Sequence, residues 1–493
     1  MAYIVSQADI QAMSQHEKDI YVKIDLLSKN FQTIDSFTGN LISDNLNVSS
    51  ESKQRRTYSC DLVLTDDSFL VGYDKKIWID KYIRPHYGIK NIRTGEIKWW
   101  QLGVFTYNDV NYTYSETEQK LSISCSDLMA DFDGTKNGQI SGYDLKIPAG
   151  EKIYSTIVGL MNSAGIKKYN IENADLEIPY DLEFTDTITY CDVWTQIAEL
   201  YDSWEFFFDN DGVFIWRKVP TGLSDQCMCD DTLLSPIVIS ESTQSDFSNI
   251  YNVTEVWGRT IELENDDRYT ETSTYDVVNN IYHITLEDVK SLDDIDHLDK
   301  IAFKVCETCQ AGVKVSINNL EAIPIIDGET SSDSPIAAER LLKDTTYVFM
   351  YRRNIGTTIA NCLSLMGQYQ AHAVYEETNI ECPFSTTRLG YKIINRVDYE
   401  NLYSDNLCYN QAEYLTYSST AMQDTITLEL LIIPWMEVGQ KIKYTSKVTN
   451  KTEQYIVKEF SWSSLEGTMS LTLYKFLESF SYVYKRKNQK NRR

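Results

Sequence analysis

The sequence predicts a β-rich α+β protein with several domains, and three observations lead to this class. The chain has 493 residues, which is more than one hydrophobic core usually serves, so about three or four domains are expected. It contains 34 tyrosines against 9 prolines, and 42% of its residues are apolar. That composition favours ordered strands over disorder. Residues 190–218 then predict a helix followed by a β-hairpin, so helices and strands share a domain.

Short strands follow one another through the first quarter of the chain. Residues 6–18 are compatible with a helix, and a first strand is expected at residues 21–27. Alternating apolar and polar residues predict further strands at residues 57–64, 76–80, 89–99 (a hairpin that turns at Thr94-Gly95), 102–107 and 119–125. Because turn residues separate these strands at short intervals, residues 1–126 are expected to form a small barrel or a sandwich.

A glycine-rich connector comes next. Five of its residues have part of the spacing of a calcium-binding EF-hand loop, namely Asp133, Thr135, Asn137, Gly138 and Asp144. The bidentate Glu that closes such a loop is an Asp here, and its third position is a Thr. Residues 128–132 are also too few for the entering helix. A turn-rich linker is therefore the favoured interpretation, and no metal ligand is assigned.

Residues 127–240 are predicted to form an α+β domain. Its first helix spans residues 151–164 and is expected to stop at Gly165. The second helix begins after Thr189, whose hydroxyl can cap it, and Asp192 completes a capping box. One face of this helix carries an apolar stripe of Val193, Ile197, Leu200 and Tyr201. The hairpin that follows has strands at residues 204–208 and 213–216, joined by a D-N-D-G turn at residues 209–212.

The second half of the chain is again rich in strands. Residues 260–378 are interpreted as a β module, which is inserted into a second β-rich block made of residues 241–259 and 379–481. Within the module, residues 347–352 and 365–372 are expected to pair. The second block is predicted to contain a helix at residues 404–417 and strands at residues 249–258, 424–433, 434–444, 453–462 and 469–476.

Three stretches, in this order, resemble the baseplate hub family of phage tails, the late-control-protein-D type. The first is W-x-L-G-x-F at residues 100–105, followed by the K-L-S-I-S-C-S-D-L strand at residues 120–128. The second is the helix ending in I-A-E-L-Y with its W-E, D-N-D-G and W-R-K hairpin. The third is I-P-W-x-x-V-G-Q-K-I at residues 433–442 with the later Y-I-V-K and L-T-L-Y-K-F strands. Together they extend over more than half of the chain.

This resemblance implies two small hub β-barrels with the α+β domain between them and an inserted β module. In that family the barrels form a ring that continues the tail tube, so three chains are expected to assemble as a homotrimer. Trp100, Gly103 and Phe105 then have architectural roles, with Gly103 at a bulge or tight bend and the aromatic rings in the barrel core. The implied partners are a tail tube or distal tail protein, the tape measure protein, and tip, spike or other baseplate proteins. The implied location is the virion tail, after assembly in the host cytoplasm.

Charge limits the choice of partners. The chain has 46 Lys and Arg against 72 Asp and Glu, a net charge of −26, so specific binding of nucleic acid is not expected. Residues 482–493 form a basic tail, and its last nine residues carry six positive charges. A solvated tail is the favoured interpretation, and an arm that docks on an acidic protein is the alternative. The first residues lack the pattern of a signal peptide and no run of 18 apolar residues occurs, so neither export nor a membrane span is expected.

The sequence gives no catalytic, cofactor-binding or metal-ligating residues and implies no cofactor. The pairs Cys227/Cys229 and Cys306/Cys309 lack the further ligands that a zinc site needs. The five histidines lie far apart in sequence, and the motifs of serine hydrolases, zinc proteases and nucleotide-binding proteins do not occur. A structural, non-enzymatic role is therefore predicted. The alternatives are a receptor- or carbohydrate-binding tail-tip protein, in which the module at residues 260–378 contacts the host surface, and a tail-associated cell-wall hydrolase.

Overall fold

The computed structural model describes residues 5–39, 41–64, 67–116, 119–140, 145–184, 188–201, 204–219, 227–245, 247–261, 263, 267–327, 334–355, 359–421 and 424–475. Within these ranges the chain forms six α-helices and thirty strands, and β structure dominates. The strands are arranged in several sheets, the largest of which has 13 strands. The predicted β-rich multidomain class is confirmed. The basic tail lies outside the described residues.

The N-terminal part begins with a capped helix and continues as strands. The backbone N–H of Asp9 donates to the Ser6 hydroxyl, and the Asp9 carboxylate accepts from the Ser6 N–H in return, so a capping box starts the helix. The elements are α1 (Gln7–Met13), β1 (Ile20–Leu27), β2 (Thr33–Thr38), β3 (Leu41–Ser49), β4 (Arg56–Val63), β5 (Tyr82–Lys90), β6 (Ile97–Gln101), β7 (Phe105–Tyr114) and β8 (Gln119–Asp127).

The aromatic residues expected in the barrel core are buried there. Trp100 is 3% exposed and Phe105 is fully buried. Gly103 lies in the connection between β6 and β7, where an added Cβ would come within 2.7 Å of the Phe105 ring. A side chain at this position would therefore clash with the core, which accounts for the glycine.

The strand predicted at residues 76–80 is wrong, because these residues belong to a loop. The loop is closed by backbone hydrogen bonds, among them Gly72 N to Ile77 O at 3.1 Å and Lys76 N to Ser68 O at 3.1 Å. Ile77 is buried in the barrel core, whereas Ile79 is 79% exposed. Ile77 and Ile79 stand two positions apart, as apolar residues do in a strand. Among the described residues, however, no strand pairs with this segment.

The α+β domain follows the prediction closely. Its elements are β9 (Leu145–Ile147), α2 (Ile153–Ser163), β10 (Tyr169–Ile171), β11 (Leu182–Phe184), α3 (Tyr190–Glu199), β12 (Trp204–Phe208) and β13 (Phe214–Lys218). The capping box of Thr189 and Asp192 is present. Strand β13 pairs parallel with β10 and antiparallel with β12. Val193, Ile197 and Leu200 are buried between α3 and this sheet.

The second half of the chain contains two further sheets besides the barrel sheet. Nine strands form a separate sheet with its own apolar core, which corresponds to most of the predicted inserted module. The elements before and within it are α4 (Asp231–Leu234), β14 (Val238–Ser245), β15 (Val253–Thr260), β16 (Arg268–Thr270), β17 (Ser273–Asp276), β18 (Ile281–Ile284), β19 (Lys300–Lys304), β20 (Lys314–Ile317), β21 (Ile323–Asp327), β22 (Ser334–Pro335), β23 (Thr346–Ile355) and β24 (Ile359–Gln368).

The remaining elements complete a three-stranded sheet and the barrel sheet. They are β25 (Gln370–Glu376), α5 (Thr386–Leu389), β26 (Ile394–Asp398), α6 (Asp405–Ala421), β27 (Asp424–Leu431), β28 (Lys441–Thr445), β29 (Thr452–Trp462) and β30 (Thr468–Lys475). Strands β23 and β24 pair as an antiparallel hairpin, but the chain then leaves the module, and β25 pairs with β15. The predicted strand at residues 365–372 is therefore two strands in two sheets.

The predicted composition of the second barrel needs a correction. Residues 241–259 and 379–481 are predicted to form one barrel, yet of their strands only β14, β27, β28, β29 and β30 join the barrel sheet. Strand β15 lies between β25 and β26, and α6 packs on this separate three-stranded sheet. Alternation of apolar residues shows that a segment is a strand with one buried face, but it does not identify the neighbouring strand. Strands β14 and β15 therefore look alike in sequence although they belong to different sheets.

Candidate assembly surface

Eight consecutive strands of the 13-stranded sheet form one continuous antiparallel array. Their order is β14-β27-β30-β29-β3-β4-β8-β7. The N-terminal and C-terminal parts of the chain meet in its middle, where Leu46 of β3 lies opposite Trp462 of β29. The two β-rich blocks of the sequence are thus joined by backbone hydrogen bonds into a single curved surface.

One face of this array packs on the barrel core and the other is polar. The core face carries residues such as Leu46, Tyr58, Leu428 and Leu471, all of which are buried. The opposite face, here called the polar face, consists of Ser43, Asn45, Asn47, Thr57, Ser59, Asp61, Asp109, Asn111, Thr113, Lys120, Ser122, Ser124, Ser240, Ser242, Gln244, Thr425, Thr427, Glu429, Glu459, Ser461, Ser470 and Thr472.

The registers place these small polar side chains in rows that run across the strands. Ser59 lies opposite Asn45 on one side and Ser124 on the other, and Ser124 lies opposite Asp109. In the C-terminal half, Ser470 lies opposite both Glu429 and Ser461. Side chains of this size leave a hydrated surface, on which Val63 lies opposite Lys120.

The polar face has an acidic character. Among the described residues that pair across the array, it carries four carboxylates, Asp61, Asp109, Glu429 and Glu459, against the ammonium group of Lys120. Lys458, at the bulge of β29, forms an ion pair with Glu51 at 3.1 Å. Asp61 accepts hydrogen bonds from the hydroxyls of Ser122 (2.6 Å) and Ser43 (2.9 Å), and the Lys120 Nζ lies 3.4 Å away. The bond from Ser122 is the main reason why the pKa of Asp61 is lowered. The ammonium group of Lys120 is therefore paired with a carboxylate that stays ionised.

Both ends of the array are open edges within the described part of the chain. Strand β7 touches β5 only through Phe105 and Thr106, so its residues 109–114 pair with β8 alone. At the other end, β14 pairs with β27 alone. Backbone N–H and C=O groups on such edges are ready to pair with a strand of another chain. The array therefore has one polar face and two edges that can be extended.

A buried arginine just before β4 connects the barrel sheet to the α+β domain. The Arg55 guanidinium forms an ion pair with Glu205 of β12 and lies 3.7 Å from the centre of the Phe207 ring. Glu205 also accepts a 2.8 Å bond from the Nε of Arg217. Arg55 is 8% exposed, so the loss of Glu205 would leave a buried charge without its partner. This junction links β12 and β13 to the segment just before β4.

The described residues do not bring the few chemically suggestive groups together. Among them, no cluster of three or more His, Cys, Asp and Glu could hold a metal ion. In the glycine-rich connector, Asp133 accepts from the Thr135 N–H, as in a turn, and from the distant Gln54 side chain. Asp144 lies outside the described residues. His86 pairs with Asp25 at 3.0 Å and His372 with Glu255 at 3.2 Å, in different sheets. Within the same ranges, no helix is both long and apolar enough to cross a membrane.

The sequence contains the signal for the polar face. Residues 43–47, 57–61 and 122–126 alternate Ser, Thr, Asn or Asp with buried residues. Each segment alone is an ordinary half-buried strand. Only the registers show that their polar sides form one surface, because the C-terminal strands of the array lie more than 300 residues further along the chain.

Comparison with known proteins supports the same architecture. Residues 381–480 match the model of a domain of unknown function, DUF5048. No curated protein matches the chain. Among solved structures, the chain is similar to the 43 kDa tail protein of prophage MuSo2 from Shewanella oneidensis, with 8% identity and a TM-score of 0.50 over 93% of this chain and 98% of that one.

The chain is also similar to the tail protein from Neisseria meningitidis MC58, with 9% identity and a TM-score of 0.51 over 92% of this chain and 96% of that one. At this level of identity the likeness shows the fold alone. The chain therefore has the fold of these phage tail proteins over nearly its whole length, and the resemblance found in the sequence is confirmed as a likeness of fold.

Proposed function

We propose that this protein is a structural hub of a phage or phage-like tail. It forms a ring that joins the tail tube to the distal tip, and DNA passes through the ring. The observation that carries the proposal is the eight-stranded antiparallel array with its polar face and two open edges. The shared fold with phage tail proteins supports it. The role is non-enzymatic, and it needs no cofactor.

The strand count lets identical copies join edge to edge. Because successive strands of the array alternate in direction and their number is even, β14 of one copy runs antiparallel to β7 of the next copy when the arrays are placed side by side. Repetition of this heterologous contact gives a closed ring if the rotation between copies closes. A chain with two barrels matches a six-fold tube when three copies assemble, so the proposed ring is a homotrimer.

The polar face is proposed to line the channel of this ring. Carboxylates repel the phosphates of a passing genome, and a surface without free cations offers no counterion release to favour binding. The outer surfaces are proposed to bind the tail tube or distal tail protein, the tape measure protein, and the tip or spike.

The proposed domains are an N-terminal barrel, the α+β domain, a second barrel built from the C-terminal strands, and the inserted module. The protein is assembled in the host cytoplasm and resides in the virion tail.

The oligomeric state tests this proposal directly. We expect light scattering on the purified protein to give about three times the chain mass of 56.9 kDa, because the open edges of the array are paired between copies. Negative-stain images of the same sample should show rings. A strictly monomeric mass at high concentration, with the tail tube protein present, would contradict the proposed ring.

The basic tail offers a second test of the partners. We propose that residues 482–493 lie outside the channel and bind an acidic neighbouring protein, since they concentrate positive charge on an acidic chain. Deletion of these residues should weaken particle assembly and leave DNA affinity unchanged, as measured by electron microscopy of lysates and by a DNA mobility shift. Tight DNA binding by the intact protein at physiological salt, lost on deletion, would instead make the tail a nucleic-acid arm.

A further inference from the structure

The loop between β4 and β5 exposes apolar side chains to an unusual degree. Tyr73 is 81% exposed and Ile79 is 79% exposed, and Val71 and Trp78 of the same loop are 46% and 36% exposed. These four residues are here called the apolar loop patch. A contiguous group of exposed apolar residues on one loop of a soluble protein often marks a contact with another protein.

The loop is held in a fixed shape, so the patch cannot fold inward. Ile77 is buried in the barrel core. The Lys76 Nζ lies 2.5 Å from the Asp35 carboxylate and 4.1 Å from the centre of the Phe69 ring. Phe69 in turn packs on Phe37 at 4.1 Å between ring centres. The loop therefore presents Tyr73 and Ile79 on a preorganised backbone, which lowers the entropy lost when a partner binds.

The patch lies beside the open edge of the array. The Tyr112 hydroxyl, on the second half of β7, donates a 3.2 Å hydrogen bond to the backbone carbonyl of Phe69 at the start of the loop. This second half of β7 is the stretch that pairs with β8 alone. A strand that completes the edge would therefore bring its own chain against the loop.

The opposite edge of the array carries an exposed apolar residue that could contact the apolar loop patch of another copy. Ile239 lies at a register shift near the start of β14 and is 57% exposed. Antiparallel pairing of β7 with β14 of a second copy places the second half of β7 beside the first half of β14. We infer that the apolar loop patch is an interface that packs against the Ile239 region of a second copy of this chain. The inference rests on the proposed ring and names the contact that closes it.

The experiment compares self-association of full-length variants. Tyr73→Asp and Ile79→Asp place charges on the proposed contact, and we expect each to weaken self-association about tenfold or more in sedimentation velocity experiments. Because both side chains are exposed in the single chain, thermal melting should be unchanged at a concentration at which neither protein is associated. The matched control is Val278→Asp, which adds the same charge in the β17–β18 turn of the module, where Val278 is 92% exposed. This control should associate like the unmodified protein.

Cross-linking identifies the partner residue. A chain in which the partly exposed Cys227 and Cys306 are replaced by serine, and which carries both Ile79→Cys and Ile239→Cys, should give covalent oligomers with a short bismaleimide. In the same background, a variant with only one of the two new cysteines should not. Rings that form normally from Tyr73→Asp and Ile79→Asp would overturn the inference and leave the hub function standing. Normal rings that no longer bind the tail tube protein would also overturn it, and would assign the patch to that protein. A monomeric unmodified protein would overturn both the inference and the proposed function.

Discussion

Leu200→Asp should yield insoluble protein and prevent tail assembly. Leu200 ends α3, is fully buried, and belongs to the apolar core between the two helices and the sheet of the α+β domain. A carboxylate at this position either stays charged without a partner or takes up a proton at a free-energy cost, and the leucine contacts are lost as well. The free energy of unfolding should fall by roughly 4 kcal/mol or more, a large share of the stability of a domain.

Two control variants separate the loss of the core from other effects. Leu200→Met keeps the apolar volume and should cost less than about 1.5 kcal/mol. Gln196→Asp adds the same charge one turn earlier on the partly exposed face of α3 and should leave solubility unchanged. The measurement is the soluble fraction after expression, followed by chemical denaturation of the soluble variants. A Leu200→Asp protein that is soluble and assembles normally would show that the stripe of α3 is not part of the core.

The parts of this fold that the sequence predicted are those set by local chemistry. The capping box of Thr189 and Asp192, the stripe of α3 and the hairpin turn at residues 209–212 each depend on residues within one turn or one strand. Local rules of capping and periodicity decide such elements. The same rules failed at residues 76–80, where the alternation of Ile77 with Ile79 comes from a closed loop and not from a strand.

The pairing of distant strands could not be predicted in the same way. Strands β14 and β15 are close in sequence and similar in pattern, yet one lies at the edge of the barrel sheet and the other in the centre of a three-stranded sheet. Which neighbour a strand selects depends on packing across the whole domain. The polar face could not be predicted for the same reason. Its rows join residues from opposite ends of the chain, such as Asn47 and Ser461.

Three lysines on the polar face should make the proposed ring retain DNA. The variant Asn47→Lys, Ser124→Lys and Ser470→Lys places one cation on each of β3, β8 and β30. All three positions are exposed, and Ser124 and Ser470 lie opposite the carboxylates of Asp109 and Glu429. The third position, Asn47, lies opposite Thr57 and Ser461. No two of the new ammonium groups face one another, so strand pairing should be preserved. If the polar face lines the channel, three copies place nine cations around the passing phosphates.

The expected result is a salt-dependent affinity for double-stranded DNA that the unmodified protein lacks, because each neutralised phosphate releases condensed counterions. Mobility shifts at several salt concentrations measure it, and particles with the variant should release their genome more slowly. The control is Val277→Lys, Val278→Lys and Leu298→Lys, which adds the same charge at exposed positions of the inserted module. If both triple variants bind DNA equally, net charge alone explains the effect and the polar face does not line the channel. If the polar-face variant no longer forms rings while the control does, that face is a contact between proteins, and the path of DNA lies elsewhere.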